Sequence, residues 1–89
     1  MARFVLELGF APGDERRLEV RPRHREYLTS LLAEGRLVSA GPWADDTGAM
    51  ILLEVEDEAA ARAIIAADPY TDAGVVTVTS LREWQPILP

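Results

Sequence analysis

Residues 48–56 read Gly-Ala-Met-Ile-Leu-Leu-Glu-Val-Glu, and they form the strongest strand signal in the chain. The run is rich in aliphatic residues and has the length of a strand rather than that of a helix. Just before it, Leu37–Ala40 predicts a short strand that Gly41 and Pro42 are expected to end. The turn Trp43–Thr47 joins the two strands into a hairpin, which is the centre of the predicted fold.

A strand and a helix are predicted on each side of the hairpin. Before it, the strand Arg3–Phe10 is followed by the helix Pro22–Glu34, since proline is favoured in the first turn of a helix. After it, Asp57 caps a helix that ends at Pro69, and the alternating run Val75–Leu81 predicts the last strand. The β-α-β-β-α-β order is that of a ferredoxin-like α+β domain, with a four-stranded antiparallel sheet and two helices on one face.

The second face of this sheet is not covered by the predicted helices. Apolar residues alternate on both faces of the strand from Met50 to Val55, which predicts that both faces are buried. A two-fold homodimer with sheet packed on sheet, a dimeric α+β barrel-type assembly, satisfies this expectation. Trp43, Trp84 and the tail 86–89 are candidates to complete the interface. The alternative is that they cover the edge of their own core.

The composition bounds the chemistry. The 89 residues, 1–89, predict a single domain, and the net charge of −6 argues against a nucleic acid or a membrane as the partner. There is no lysine for a Schiff base and no cysteine for a disulfide or thiol nucleophile. With one histidine, a multi-histidine metal site is possible only between subunits, so we expect no metal or cofactor. Without a signal peptide or membrane span, a cytoplasmic location is expected.

His24 is the first candidate for chemistry, because histidine exchanges protons near neutral pH and this is the only one. It lies four positions before Leu28 and seven before Leu31, on the inward stripe of its helix. Its predicted place in the first turn favours the uncharged ring, as a general base requires. The alternative is a histidine that packs in the core or caps a backbone carbonyl.

Asp68 is the second candidate. A carboxylate at the C-terminus of a helix is electrostatically unfavourable, so it either meets a cation such as Arg21 or His24 or caps the turn at Pro69. We expect the start of the first helix and the end of the second to lie at opposite ends of the sheet. His24 and Asp68 then meet only if the loop after Ala67 folds back, or across a dimer.

Two further features suggest a binding site. Arg21 lies three residues before His24, where both side chains can share a helix face and the guanidinium can bind an anion. The alternative is a solvated helix start balanced by nearby acidic residues. Gly41 and Pro42 predict a tight turn or a close approach to a ligand, without the glycine repeat and lysine of a phosphate loop.

Four segments of the chain together resemble the YciI-like (YCII-related) family. They are Arg-Arg-Leu-Glu-Val-Arg-Pro-Arg-His at 16–24, Glu-Gly-Arg-Leu-Val-Ser-Ala-Gly-Pro at 34–42, Ala-Asp-Pro-Tyr at 67–70 and Ala-Gly-Val at 73–75. The resemblance implies a ferredoxin-like fold, a dimer and a histidine–aspartate centre. Most members have no assigned reaction, and one relative is a dehydrochlorinase acting on a chlorinated aromatic diol or triol.

Carried over by motif, the resemblance makes His24 and Asp68 the catalytic pair. Arg21, the pair Gly41-Pro42, and Tyr70 become the substrate-binding residues. The function it implies is acid/base chemistry, of the lyase, dehydrochlorinase or isomerase type, on a small anionic or phenolic substrate. Two alternatives are a non-catalytic dimer that binds a small ligand and a cofactor-free oxygenase of the dimeric α+β barrel type.

Overall fold

The computed structural model describes the whole chain, Met1–Pro89, as one sheet with helices packed on it. The elements are β1 (Ala2–Phe10), α1 (Glu15–Ala33), β2 (Leu37–Pro42), β3 (Gly48–Val55), α2 (Glu58–Ala67), α3 (Pro69–Ala73) and β4 (Val76–Trp84). The strands are antiparallel and lie in the order β2-β3-β1-β4. This confirms the α+β, ferredoxin-like topology, to which α3 is an addition.

The hydrophobic core lies between one face of the sheet and the two long helices. Alternate residues of β1 and β3 point into it, because successive side chains of a strand point to opposite faces. In the register of these two strands, Leu6 pairs with Ile51 and Phe4 pairs with Leu53. One buried cluster joins both strands to both helices, and its members are Phe4, Leu6, Leu8, Leu31, Leu37, Ile51, Leu53, Val55, Ala61 and Ile64.

Helix α1 begins two turns earlier than predicted. It starts at Glu15, and the carboxylate of Asp14 caps it by accepting hydrogen bonds from the backbone N–H groups of Arg16 (3.0 Å) and Arg17 (3.4 Å). Pro22, the predicted start, lies inside the helix on a side exposed to water. His24 is therefore in the middle of α1, and the prediction that the helix N-terminus favours its neutral form is wrong.

Two other predicted breaks behave differently in the structure. Gly41 and Pro42 were expected to end β2, but the strand continues through both, and Pro42 pairs with Ala49. Because β2 is an edge strand, it tolerates a proline. Pro69 ends α2 as predicted and also begins α3, since a proline at the first helical position lacks only an N–H that would have no partner. Strand β4 extends to Trp84.

The direction of the central strands brings the two candidate catalytic residues together. Strands β1 and β3 are antiparallel, and each is followed by a helix that returns along the sheet. The N-terminal half of α1 and the end of α2 therefore lie at the same end of the sheet. The expectation of opposite ends is wrong, because it left out the opposite directions of the two strands.

The other face of the sheet is only partly covered by the chain itself. Val5, Met50 and Leu52 lie half-buried on this face, and Arg3 and Glu54 form an ion pair across it at 3.5 Å. Trp43 and Trp84 remain 43% and 44% exposed. The single chain thus buries one face of its sheet, and the dimer remains a prediction. None of the helices is long and apolar enough to cross a membrane.

Candidate active site

The centre of the site is a buried contact between His24 and Asp68. The Nδ1 atom of His24 lies 2.8 Å from Oδ1 and 2.9 Å from Oδ2 of Asp68, within one chain. Only 7% of His24 and 6% of Asp68 are exposed to solvent. A carboxylate accepts hydrogen bonds and cannot donate them, so Nδ1 carries the hydrogen. In the neutral ring this leaves the lone pair on Nε2.

The backbone around Asp68 explains why a carboxylate is stable at the end of α2. Asp68 is at once the C-cap of α2 and the N-cap of α3, and its Oδ1 accepts a hydrogen bond from the Tyr70 backbone N–H at 2.9 Å. The unfavourable position at the end of one helix is therefore a favourable position at the start of the next. Of the two predicted roles of Asp68, capping the turn is observed. Asp68 also contacts His24, one of the two partners that the other prediction named.

An aromatic stack holds the imidazole ring in one plane. The rings of His24 and Tyr70 lie parallel, with centroids 3.8 Å apart and 8° between the planes. The edge of Tyr70 in turn meets Phe10, at 6.3 Å and 78°. Tyr70 is 2% exposed, so the stacked face of the imidazole packs against a buried ring. The ring is thus held at Nδ1 by a carboxylate and on its face by a phenol.

The free side of the imidazole borders a cavity of about 220 Å³. The cavity lies between α1, the end of β1 and the β2–β3 hairpin. Nε2 of His24 has no hydrogen-bond partner in the chain, and it remains in contact with solvent. The thirteen lining residues are Phe10, Arg17, Arg21, His24, Arg25, Leu28, Ala40, Gly41, Pro42, Asp46, Ala49, Ile51 and Tyr70.

The structure brings all the sequence-predicted site residues to this cavity or its wall. Arg21, Gly41 and Pro42 line it together with His24 and Tyr70, while Asp68 lies directly behind the imidazole. Gly41 and Pro42 are exposed at its rim, as residues of β2 rather than of a turn. Arg21 is half-buried and forms no ion pair. Their roles in binding remain predictions.

Arg17 is a buried, charged residue of the cavity wall that the sequence prediction did not include. It is 6% exposed, its Nη2 donates to Oδ2 of Asp46 at 3.1 Å, and its guanidinium carbon lies 4.0 Å from the centre of the Phe10 ring. The signal was present, because Arg17, Arg21 and His24 are spaced i, i+4 and i+7 along one helix face. The predicted helix began at Pro22, so it did not include Arg17.

The wall of the cavity carries a net positive charge, although the protein as a whole is acidic. The chain has a net charge of −6, whereas the cavity wall carries three arginines and one aspartate. Such a wall favours an anionic ligand and repels a cation. No group of three or more histidine, cysteine or carboxylate side chains is placed to hold a metal ion.

Two titratable groups beside the site are shifted by their surroundings. Burial raises the pKa of Tyr27, and the nearby charge of Asp68 raises it further. The Tyr27 hydroxyl donates to the carbonyl of Ile64 at 2.8 Å, which ties α1 to α2. In the hairpin turn, hydrogen bonds from the hydroxyl and the N–H of Thr47 lower the pKa of Asp45.

Comparison with known proteins finds relatives over most of the chain. The model of the YCII-related domain matches residues 2–85. Protein YciI of Escherichia coli O6:H1 is 39% identical over 83 residues, covering 82% of this chain and 85% of that protein. An uncharacterised protein of Haemophilus influenzae is 41% identical over 71 residues, covering 68% of this chain and 72% of the relative.

A solved structure extends the comparison to a protein with a named activity. It is the 5-chloro-2-hydroxyhydroquinone dehydrochlorinase of Burkholderia phenoliruptrix AC1100, in complex with 2,5-dihydroxybenzoquinone. The two folds superpose with a TM-score of 0.80 over 93% of each chain, at 26% sequence identity. Together with the family match over nearly the whole chain, these relatives establish that the protein belongs to the YCII-related domain family.

Proposed function

We propose that this protein is a small acid/base enzyme in which His24 transfers protons to and from a single-ring phenolic or otherwise anionic substrate. The observation that carries the proposal is the pairing of Nδ1 with Asp68 at 2.8 and 2.9 Å, which leaves Nε2 without a partner on a residue that lines the cavity. Asp68 holds the tautomer that a general base needs and stabilises the imidazolium that forms when the ring takes a proton.

The size and charge of the cavity support a single-ring substrate. A cavity of about 150 Å³ is enough to bind benzene, so about 220 Å³ leaves room for a ring with several substituents. Arg21, Gly41 and Pro42 line the cavity. In this proposal the charge of Arg21 attracts the anion, and Gly41 and Pro42 form a rim with little side-chain bulk. Tyr70 acts mainly as the platform beneath the imidazole. The solved relative, in complex with a hydroxylated benzoquinone, supports the same class of ligand.

The elimination of HCl from a chlorinated trihydroxybenzene fits one proton-transfer residue. Nε2 first takes a proton from a ring hydroxyl, and the imidazolium returns it to the carbon that bears chlorine, giving a keto form. Nε2 then takes the proton of a second hydroxyl while chloride leaves with the C–Cl bonding electrons. The products are a hydroxybenzoquinone, one proton and one chloride. The ring is oxidised as the C–Cl bond is reduced, so the step needs no external oxidant.

The test is turnover of 5-chloro-2-hydroxyhydroquinone, followed as chloride release. We expect His24→Gln to lose about 10²-fold or more in rate, because the proton-transfer atom is removed. Glu26→Gln is the matched control, since Glu26 lies exposed on the same helix. A second readout is the exchange of ring protons of hydroxyhydroquinone in D₂O, which reports the keto step without chlorine.

The outcomes separate the proposal from its alternatives. Turnover that survives in His24→Gln contradicts the role of the imidazole. Tight binding by the wild-type chain with neither chloride release nor ring-proton exchange favours a non-catalytic ligand-binding protein. Oxygen consumption with these phenols favours an oxygenase instead.

A further inference from the structure

Arg17 is a buried charge with too few partners. Its residue surface is 94% buried, its Nε makes no hydrogen bond, and its only ion pair is a single contact from Nη2 to Asp46 at 3.1 Å. A guanidinium has five N–H donors arranged to bind a planar anion through two parallel bonds. Burying such a group is costly unless its hydrogen bonds are made. The contacts within the chain therefore leave most of its binding capacity unused.

The partner of Arg17 is easily replaced. The side chain of Asp46 is 61% exposed, so solvent hydrates its carboxylate readily when the contact breaks. Asp46 lies in the β2–β3 turn with a positive φ of 59°, a conformation that aspartate tolerates better than most residues. The turn keeps its shape through backbone hydrogen bonds, from Phe10 N–H to Thr47 C=O and from Asp46 N–H to Trp43 C=O, both 2.9 Å. These bonds do not need the Asp46 carboxylate.

The position of Arg17 in the cavity matches a ring held at two ends. Arg17 and His24 are seven residues apart on one helix face, about 10 Å along the axis at ~1.5 Å per residue. Between them the wall is aromatic, because Arg17 lies on Phe10, Phe10 meets Tyr70, and Tyr70 stacks on His24. A planar ring between the two side chains has a cation at one end and the proton-transfer atom at the other.

We propose that Arg17 binds an anionic oxygen of the substrate, and that Asp46 is a resting counter-ion which this oxygen replaces. The inference rests on the proposed function and specifies its substrate class: a planar ring with a phenolate, enolate or carboxylate oxygen opposite the group that His24 deprotonates. Arg17 is then the main anion-binding residue, and Arg21 contributes charge at the cavity wall.

The test is the binding of 2,5-dihydroxybenzoquinone, which is ionised at neutral pH, measured by isothermal titration calorimetry. Arg17→Gln is expected to weaken binding by about tenfold or more, because a charge-assisted pair is lost. Asp46→Asn is expected to tighten it by roughly three- to tenfold, because the competing carboxylate is removed. In the double variant the gain from Asp46→Asn disappears, since the anion no longer has its receptor. Glu26→Gln is the matched control.

Two further measurements keep the test decisive if Arg17→Gln folds poorly. Arg17→Lys retains the charge and loses the planar fork, so intermediate affinity is expected. A neutral ring, 1,4-dimethoxybenzene, should respond to neither substitution. Wild-type affinity in Arg17→Gln or Arg17→Lys, unchanged or weaker binding in Asp46→Asn, or no binding by the wild-type chain overturns the inference.

The result also separates this inference from the proposed function, because it is read from binding rather than turnover. Binding that depends on Arg17 without any His24-dependent reaction supports the anion site and contradicts the enzyme. A reaction that depends on His24, with binding that does not depend on Arg17, supports the enzyme and contradicts the anion site.

Discussion

Replacing Asp68 by alanine removes two separate interactions with one side chain. The Asp68 carboxylate caps α3 through the Tyr70 N–H at 2.9 Å, and it accepts the Nδ1–H of buried His24 at 2.8 Å. Asp57 offers a control with only one of these, because its carboxylate caps α2 through the Ala60 N–H at 2.8 Å and is exposed. The comparison of Asp68→Ala with Asp57→Ala therefore isolates what the imidazole contributes.

The expected magnitudes follow from these contacts. Loss of an N-cap costs about 1 kcal/mol, so Asp57→Ala should lower the free energy of unfolding by that amount. Asp68→Ala adds the cost of an unpaired buried N–H, about 1–3 kcal/mol. Its total is therefore about 2–4 kcal/mol, which lowers the Tm of a domain of this size by at least about 8 °C.

The assay is urea unfolding, followed by circular dichroism and by tryptophan fluorescence on the same samples. The slope of the free energy against urea should be unchanged, so that the midpoint reports stability alone. A double-mutant cycle with His24→Gln should show non-additivity of about 1 kcal/mol or more between the two sites. The reasoning is refuted if Asp68→Ala costs no more than Asp57→Ala, or if the two substitutions simply add.

Two further predictions concern stability away from the catalytic pair. A Cβ on Gly48 would lie 2.1 Å from the carbonyl oxygen of Leu8, so Gly48→Ala should lower the free energy of unfolding by about 2–3 kcal/mol. A Cβ on Gly41 meets no atom within 4 Å, so Gly41→Ala should leave the free energy of unfolding nearly unchanged in the same urea assay. Equal losses in the two variants would show that the strands separate easily. Tyr27→Phe removes the 2.8 Å bond to the Ile64 carbonyl and should cost about 1 kcal/mol at neutral pH. Because burial raises the pKa of Tyr27 above its ordinary 10.0, the unfolded chain ionises first, so wild-type stability should fall above pH 10 more steeply than that of the variant. Parallel stability curves from pH 8 to 11 would contradict this.

The fold was predictable because short, local signals agree with one another. The aliphatic run 48–56 and the apolar alternation of 75–81 need no tertiary information to be recognised as strands. Asp57 before the alanine-rich run 58–67 marks the second helix in the same way. Their order then leaves few topologies, of which the ferredoxin-like sheet is one.

The start of α1 was missed because two helix-start signals compete. Pro22 has the residue type favoured at a first turn, but Asp14 is also a good N-cap and lies just before the charged stretch 15–20. Proline inside a helix loses one hydrogen bond, and packing of the whole helix on the sheet outweighs that loss. Because the predicted helix began at Pro22, it did not include Arg17. It also placed His24 in the first turn, whereas His24 lies in the middle of α1.

The contact between His24 and Asp68 was the least predictable part of the site. The two residues are 44 positions apart, so no periodicity relates them. Whether they meet depends on the directions of β1 and β3, which only the assembled sheet determines. The resemblance of the segments 16–24 and 67–70 to a known family named the pair, and the geometry then gave its orientation. The family resemblance did not indicate the contact of Arg17 with Asp46.

The measurement that tests the central claim most directly is the tautomer of His24, read from the ¹⁵N shifts of its two ring nitrogens by NMR. The chain has one histidine, so the spectrum needs no assignment. At a pH where the ring is neutral, we predict a hydrogen on Nδ1 and a lone pair on Nε2, with this preference lost in Asp68→Asn. A wild-type ring with its hydrogen on Nε2 would contradict the account, because Nε2 then has no lone pair with which to take a proton from a substrate.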